Sequence, residues 1–183
     1  LHELVQTDAL TGLYNRRKFF EDLARETARA RRLETPLCLA YLDVDCFKEI
    51  NDRHGHVEGD AVLRGVAHML TVGERREVDL SYRLGGDEFA VLLLQAELAD
   101  AEAALARTIR DRGPVCPVLR RYGVQLSFGV AQYRPGETSE AFVGRTDHAM
   151  YAVKEGRKGA AMHRNARSDP RPARPSAAAA VPS

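Results

Sequence analysis

The stretch Ser81-Tyr82-Arg83-Leu84-Gly85-Gly86-Asp87-Glu88-Phe89-Ala90-Val91-Leu92-Leu93-Leu94 sets two apolar runs, 81–84 and 89–94, on either side of a Gly-Gly pair. Such runs read as the strands of a β-hairpin, because glycine supplies the positive φ that a tight turn needs. Working outward, Leu37 to Val44 is nearly continuous in apolar residues and is bounded by Pro36 and by charges, the pattern of a buried strand. Between this strand and the hairpin, Gly59 to Leu70 sets Val62, Leu63, Val66 and Leu70 on one helical face. Beyond the hairpin come an Ala-rich helix over Asp100–Arg112, a strand over Gly123–Gln132 and a helix from Ser139 to about Lys154. At the other end Asn15 caps a helix that carries Phe19, Leu23, Thr27 and Ala30 three or four apart. Strand, helix, hairpin, helix, strand, flanked by further helices, predicts an α+β domain: a mainly antiparallel sheet covered on one side by helices.

The chain has 183 residues, Lys+Arg 27 against Asp+Glu 26, and 44% hydrophobic residues, enough for one compact domain with its own core. A net charge of +1 argues against gripping nucleic acid by bulk electrostatics, so no nucleic-acid partner is expected. Cys38, Cys46 and Cys116 are far apart and form no metal or disulfide pattern, which suggests a reducing, cytoplasmic setting. No apolar run approaches the ~18 residues of a membrane span, so no membrane contact is expected of this segment. The first residue is not Met, and Leu1, Leu4 and Val5 suggest that residues 1–7 end an upstream linker helix. The domain proper is expected over 8–162, and the Ala-, Pro-, Arg- and Ser-rich residues 163–183 read as a disordered tail.

Two acidic clusters stand where chemistry needs charge. Asp43-Val44-Asp45 ends an apolar strand, with both carboxylates on one face, where they repel unless solvated, hydrogen-bonded or neutralised by a cation. Asp87-Glu88 follows the glycines, whose lack of side chains leaves space above the turn. If the strand and hairpin are neighbours, Asp43 and Asp87 converge into the oxygen-rich, partly open site that a hard divalent ion prefers when it also holds phosphates. Turn chemistry alone explains either cluster singly, but not both. Between them, Asn51 and Asp60 either cap a turn and open a helix or, as an amide and an acceptor-only carboxylate, suit the donor edge of guanine. His54 and His56 read as surface turn residues, with no third soft ligand nearby.

Arg83-Leu84-Gly85-Gly86-Asp87-Glu88-Phe89 resembles the signature of GGDEF domains, the diguanylate cyclases that join two GTP into cyclic di-GMP. Further motifs match in order. Asp8-Ala9-Leu10-Thr11-Gly12-Leu13-Tyr14-Asn15-Arg16-Arg17 looks like the family's opening, and Asp43 through Asp60 follows its D-x-D-x-F-K-x-I-N-D-x-x-G-H-x-x-G-D pattern. Ser127-Phe128-Gly129 and Asp147-His148-Ala149-Met150-Tyr151 resemble its closing strand and helix, so the likeness covers about Asp8 to Gly159.

The resemblance implies a ferredoxin-like fold related to polymerase palms and nucleotidyl cyclases. It implies that Asp43, the Val44 carbonyl and Asp87 hold Mg²⁺ or Mn²⁺. Asp87 would take the attacking hydroxyl's proton, and Glu88 is a secondary acid. Asn51 and Asp60 would read guanine; Phe47, His56 and the Gly85-Gly86 turn would line the substrate pocket; Lys48 and Lys154 would face phosphates. A basic residue usually stands four after the last-helix lysine and follows a glycine, but here Lys154 precedes Glu155-Gly156-Arg157-Lys158, leaving Arg157 and Lys158 as alternatives. Arg76-Glu77-Val78-Asp79 has the offset of an inhibitory product site for cyclic di-GMP, and Arg107 would be its second basic residue. Each domain would hold one GTP, so a homodimer and an upstream sensory or regulatory domain are the implied partners. The rival readings are a non-catalytic GGDEF module that binds GTP or cyclic di-GMP, and a template-directed palm, for which a basic channel and stacking aromatics are missing.

Overall fold

The structure, a computed structural model, describes residues 6–73 and 79–167 of the chain, with side chains over 6–72 and 79–157. Its centre is strand β2 (Leu37–Val44), which pairs antiparallel with β4 (Glu88–Leu94) on one side and β5 (Leu126–Gln132) on the other. Strand β3 (Asp79–Gly85) pairs antiparallel with β4, and the two-residue β1 (Tyr14–Asn15) adds a parallel edge to β3. The order β1-β3-β4-β2-β5 contains the split arrangement expected of the ferredoxin-like fold, with β1 making the sheet mixed.

Among the described residues six helices accompany the sheet: α1 (Arg16–Leu33), α2 (Phe47–His54), α3 (His56–Gly73), α4 (Leu98–Arg112), α5 (Pro117–Arg121) and α6 (Ser139–Arg167). They cover both of its faces, which corrects the one-sided cover expected above. Cys38, Ala40, Leu42 and Val44 of β2 pack with Val62 and Val66 of α3, Leu105 of α4 and Leu119 of α5. The alternate residues Leu37 and Leu39 pack with Phe19 and Leu23 of α1 and Phe142 of α6. The cause was visible in the unbroken apolar run of β2: a strand with no polar face needs cover on two sides.

Helix α1 starts where Asn15 accepts a hydrogen bond from the Lys18 amide at 3.0 Å. Its buried Asp22 accepts from the Tyr82 hydroxyl at 2.9 Å and from Lys18 at 2.9 Å, which fixes α1 to the strand that enters the hairpin. Three elements were not expected. Helix α2 has no side-chain cap, α5 is one short turn opened by Pro117, and β1 is too brief for any periodicity. Strand β5 begins at Leu126 rather than Gly123. Gln6 and Thr7, placed in a linker helix above, instead pair with the chain ahead: the Asn15 amide donates to the Gln6 carbonyl, and Thr7 bridges Tyr14. Helix α6 runs to Arg167, past the boundary drawn at 162. Leu1, Leu4, Val5, Arg76 and residues 168–183 lie outside the described residues.

Candidate active site

The C-terminal end of β2 and the start of β4 bring the two acidic clusters together. Asp43 stands opposite Glu88 in the β2–β4 register, and the Val44 amide donates to the Asp87 carbonyl at 3.3 Å. Asp43 is 6% exposed, and Lys154 of α6 donates to its Oδ1 at 2.6 Å. Burial pushes the Asp43 carboxyl above its usual range; Asp87 and Asp45 push the same way, while Lys154 opposes them. Glu88 is raised by burial and by Asp87, Asp43 and Asp147. Burial works against the Lys154 ammonium, but the Asp43 hydrogen bond and the surrounding carboxylates carry it above its ordinary value. The site thus concentrates negative charge that Lys154, with Arg16 toward Glu88 and Arg157 on Asp45, only partly compensates.

The turn beside it is open. Gly85 and Gly86 have φ of 144° and 54°, values that disfavour any side chain, and a Cβ added at either would meet no atom within 4 Å. The strand shifts register between Arg83 and Gly85. Arg83 holds the turn from behind: Nε and Nη2 donate to the Gly86 carbonyl at 3.1 and 2.8 Å, and Nη1 to Asp8 at 3.0 Å. Asp8 also accepts from the Thr11 amide and hydroxyl at 2.9 and 2.7 Å. Burial would raise its carboxyl, yet Thr11 and Arg83 hold it below the ordinary value. Neither Asp8 nor Arg83 had been given a role from sequence; the signals were the three-residue Asp–Thr spacing and an arginine just before the glycines.

The other half is built by α2 and α3. Cys46 adopts φ 57° with no side-chain cap over the α2 N-terminus, which leaves that end suited to an anion. Gly59 lies so close to α2 that a Cβ there would sit 1.9 Å from Asn51 Oδ1 and 3.3 Å from the Phe47 ring. Asn51 Oδ1 is buried with no hydrogen-bond partner among the described residues, and the half-buried Asp60 follows Gly59 directly. Asn51 and Phe47 are therefore brought together against Gly59, with the unsatisfied Asn51 amide oxygen at that contact and Asp60 on the next position of α3. Lys48 and His56 are exposed on the opening turns of α2 and α3. His54 packs on the Tyr122 ring at 4.8 Å between centroids.

Among the described residues no group of three or more His, Cys, Asp and Glu could hold a metal. The Asp43 and Asp87 carboxylates and the Val44 carbonyl, at the end of β2 and in the turn before β4, are oxygen donors, the class of ligand that suits a hard divalent cation such as Mg²⁺ or Mn²⁺. Of the two basic alternatives after Lys154, Arg157 donates to Asp45 at 3.1 Å and to the Leu126 carbonyl at 2.7 Å; the Lys158 side chain lies outside the described residues. Ser127 completes the Asp45 contacts at 2.7 Å. Asp79 lines a small cleft with Thr108, the neighbour of the exposed Arg107. No described helix is long and apolar enough to cross a membrane.

Comparison with known proteins places this geometry. The family described as Diguanylate cyclase, GGDEF domain matches residues 5–160. Diguanylate cyclase DgcP of Pseudomonas aeruginosa is 39% identical over 151 residues, covering 81% of this chain and 22% of DgcP. Response regulator PleD of Caulobacter vibrioides is 39% identical over 158 residues, covering 83% of this chain and 34% of PleD. The chain therefore spans only a fifth to a third of these relatives. Among solved structures, diguanylate cyclase SiaD of Pseudomonas aeruginosa, in complex with its activator SiaC, superposes with a TM-score of 0.77 at 42% identity over 84% of this chain and 60% of that one. The GGDEF domain of DgcB from Caulobacter crescentus, in complex with c-di-GMP, gives 0.75 at 33% over 85% and 91%. With the family model matched over residues 5–160 and the palm-like sheet shared with solved GGDEF structures, this chain belongs to the GGDEF family of diguanylate cyclase domains.

Proposed function

We propose that the chain is an active diguanylate cyclase domain, which condenses two GTP into cyclic di-GMP and releases two pyrophosphates. The observation that carries this reading is the convergence of Asp43, Asp87 and Glu88 beside an open Gly-Gly turn; the unsatisfied Asn51 Oδ1 on α2 supports it. Asp60 accepts from the guanine N1 and N2 donors and Asn51 completes the edge, with the Phe47 ring and His56 beside the base. The triphosphate lies toward the uncapped α2 N-terminus, where Lys48 and Lys154 supply positive charge. A divalent ion held by Asp43, Asp87 and the Val44 carbonyl would polarise the α-phosphate and stabilise the leaving oxygens. Asp87 takes the proton of the ribose 3′-hydroxyl as its oxygen bonds to the α-phosphorus of the other nucleotide, and the bond to pyrophosphate breaks; Glu88 is the second acid. Because each domain holds one GTP, two copies meet face to face and the reaction occurs twice. GTP as substrate fits a cytoplasmic location.

The further reading is feedback: cyclic di-GMP held by Arg76, Asp79 and Arg107 restrains the enzyme. The test of the activity is direct. The chain is incubated with GTP and Mg²⁺ over a wide range of protein concentration, and products are resolved by chromatography and mass. Cyclic di-GMP is expected, with specific activity rising with concentration. Asp87→Asn, at a side chain with no hydrogen bond among the described residues, should stay folded and lose about a hundredfold or more. Undiminished turnover in that variant would overturn the assignment, and tight GTP binding without product would favour the non-catalytic module.

A further inference from the structure

Where α4 ends, α5 and the start of β5 border a cavity of about 720 Å³ that meets the site above only through Arg157. Its floor is apolar: Met69 from α3, Leu119 from α5 and Leu126 from β5 are 2%, 3% and 4% exposed. Its rim is basic, with Arg110 from α4, Arg120 from α5 and Arg157 from α6 all lining it and no acidic residue among the lining. Neither Asp79 nor Arg107 lines it, so it is not the cleft assigned to product. We propose that this cavity is a second ligand site, for a small amphipathic anion: an apolar body carrying a phosphate or carboxylate head.

The chemistry follows from the two layers. A volume of this size suits a small organic ligand, and an apolar floor with a few convergent polar groups is the usual composition of such sites. Guanidinium groups on a rim favour an anionic head with several acceptor oxygens, carboxylate or phosphate, with which they form paired charge-assisted hydrogen bonds. A free inorganic anion would gain nothing from Met69 and Leu119; an uncharged apolar molecule would gain nothing from the arginines. The site also touches the catalytic loop through one side chain. Arg157, on the cavity rim, donates to Asp45, whose backbone amide is in turn held by the Gln125 carbonyl of a residue that lines the same cavity. A head group that engages Arg157 competes with Asp45, two residues from Asp43.

The test uses the three methionines of the chain, Met69, Met150 and Met162, as reporters. Met69 lines the cavity floor, whereas Met150 lies on α6 against Gly129. With ¹³C-methyl methionine in the full chain and a phosphate-free buffer, octyl phosphate is titrated and compared with inorganic phosphate and with octyltrimethylammonium. Octyl phosphate should move the Met69 methyl saturably and leave Met150 in place. The double variant Arg110→Gln, Arg120→Gln, at two exposed positions, should weaken this binding about tenfold, and the corresponding charge reversal to Glu should abolish it. A dispersed Met69 signal in each variant shows that it is folded. The proposal fails if Met69 does not move, if Met150 moves in step with it, or if the variants bind as the parent does. It fails equally if inorganic phosphate or the cationic detergent matches octyl phosphate. None of these outcomes depends on cyclase activity.

Discussion

Arg83 and Asp8, 75 positions apart in sequence, meet in a 3.0 Å ion pair whose guanidinium also grips the Gly86 carbonyl with its other two nitrogens. The opening motif of the domain is thereby fastened to the catalytic turn by one planar group, and Asp8 is itself held by Thr11. At 13% and 25% side-chain exposure the pair is only partly screened by solvent, so it persists at moderate salt. Its effect is positional.

Arg83→Lys keeps the charge but loses the fork, so it should lower kcat about tenfold or more with a small change in KM. Asp8→Asn should have a weaker effect in the same direction, and the double variant should be no worse than Arg83→Lys alone. Additive losses would separate the two residues. The carboxyl of Asp8 is lowered in the fold, so its contribution to stability is present above its unfolded value of 3.8 and is lost as pH falls through the lower folded value. Melting curves of parent and Asp8→Asn should accordingly converge in strong acid.

Glu88 has the opposite sign. Its carboxyl is raised by burial and by Asp87, Asp43 and Asp147, so the fold holds its proton more tightly than the unfolded chain does. Stability from this group is present below the unfolded value of 4.5 and falls as pH rises through the higher folded value. Glu88→Gln should therefore raise Tm at pH 7, by only about a degree or two because its side chain is only partly desolvated and solvent screens most of the repulsion, and give no gain below pH 4.5. A variant less stable than the parent at neutral pH would show that Glu88 is not under repulsion. Turnover should fall less than in Asp87→Asn.

Gly59 tests the base pocket without touching a polar group. A methyl there would sit 1.9 Å from Asn51 Oδ1, so Gly59→Ala must displace Asn51 or part α2 from α3. The expected results are a loss of about 1–3 kcal/mol of stability, a raised KM for GTP and a poorer preference for GTP over ATP. Gly144→Ala, within α6 where nothing lies within 4 Å, is the control and should leave the KM and the preference unchanged, with no loss of stability and a gain of up to about 1 kcal/mol from helix propensity. If Gly59→Ala keeps the parent's KM and preference, Asn51 does not read the base.

Most of the sheet was legible because its strands are apolar runs with clear punctuation. Pro36 and Asp45 bracket β2, and Gly85-Gly86 splits β3 from β4. The acidic pair was legible for a related reason: charges at the end of such a run have few structural roles. What stayed hidden depends on distant contact. Phe47 to His54 has only Phe47 and Ile50 as apolar residues and an uncapped start, so α2 is held by its packing on Gly59 rather than by its own pattern. That Arg157 lies on Asp45 and the Leu126 carbonyl follows from how α6 crosses β5, which no local spacing encodes. The cover on the second face could have been read from β2, since no polar alternation marks an exposed side there.

Feedback is the reading that the fold lets one separate from catalysis. Asp79 and Gly85 are the two ends of β3, so a ligand gripped at Asp79 lies roughly 20 Å along the strand from the catalytic turn and does not occupy the GTP pocket. Inhibition by cyclic di-GMP should therefore lower kcat and leave the KM for GTP unchanged. Arg76 offers a fork of donors for the phosphate or guanine of the product and Asp79 an acceptor for guanine N–H groups, while the exposed Arg107 stands next to the Thr108 that shares a cleft with Asp79. Arg76→Ala should leave the initial rate within about twofold but raise the product that accumulates before the progress curve flattens. Arg107→Ala should do the same in smaller degree, because it removes a second contact rather than the first. Cyclic di-GMP titrated by calorimetry should bind Arg76→Ala at least about tenfold more weakly than the parent. Superimposable progress curves and equal binding in parent and variant would leave Arg76 and Asp79 as a solvated loop and its neighbouring strand end.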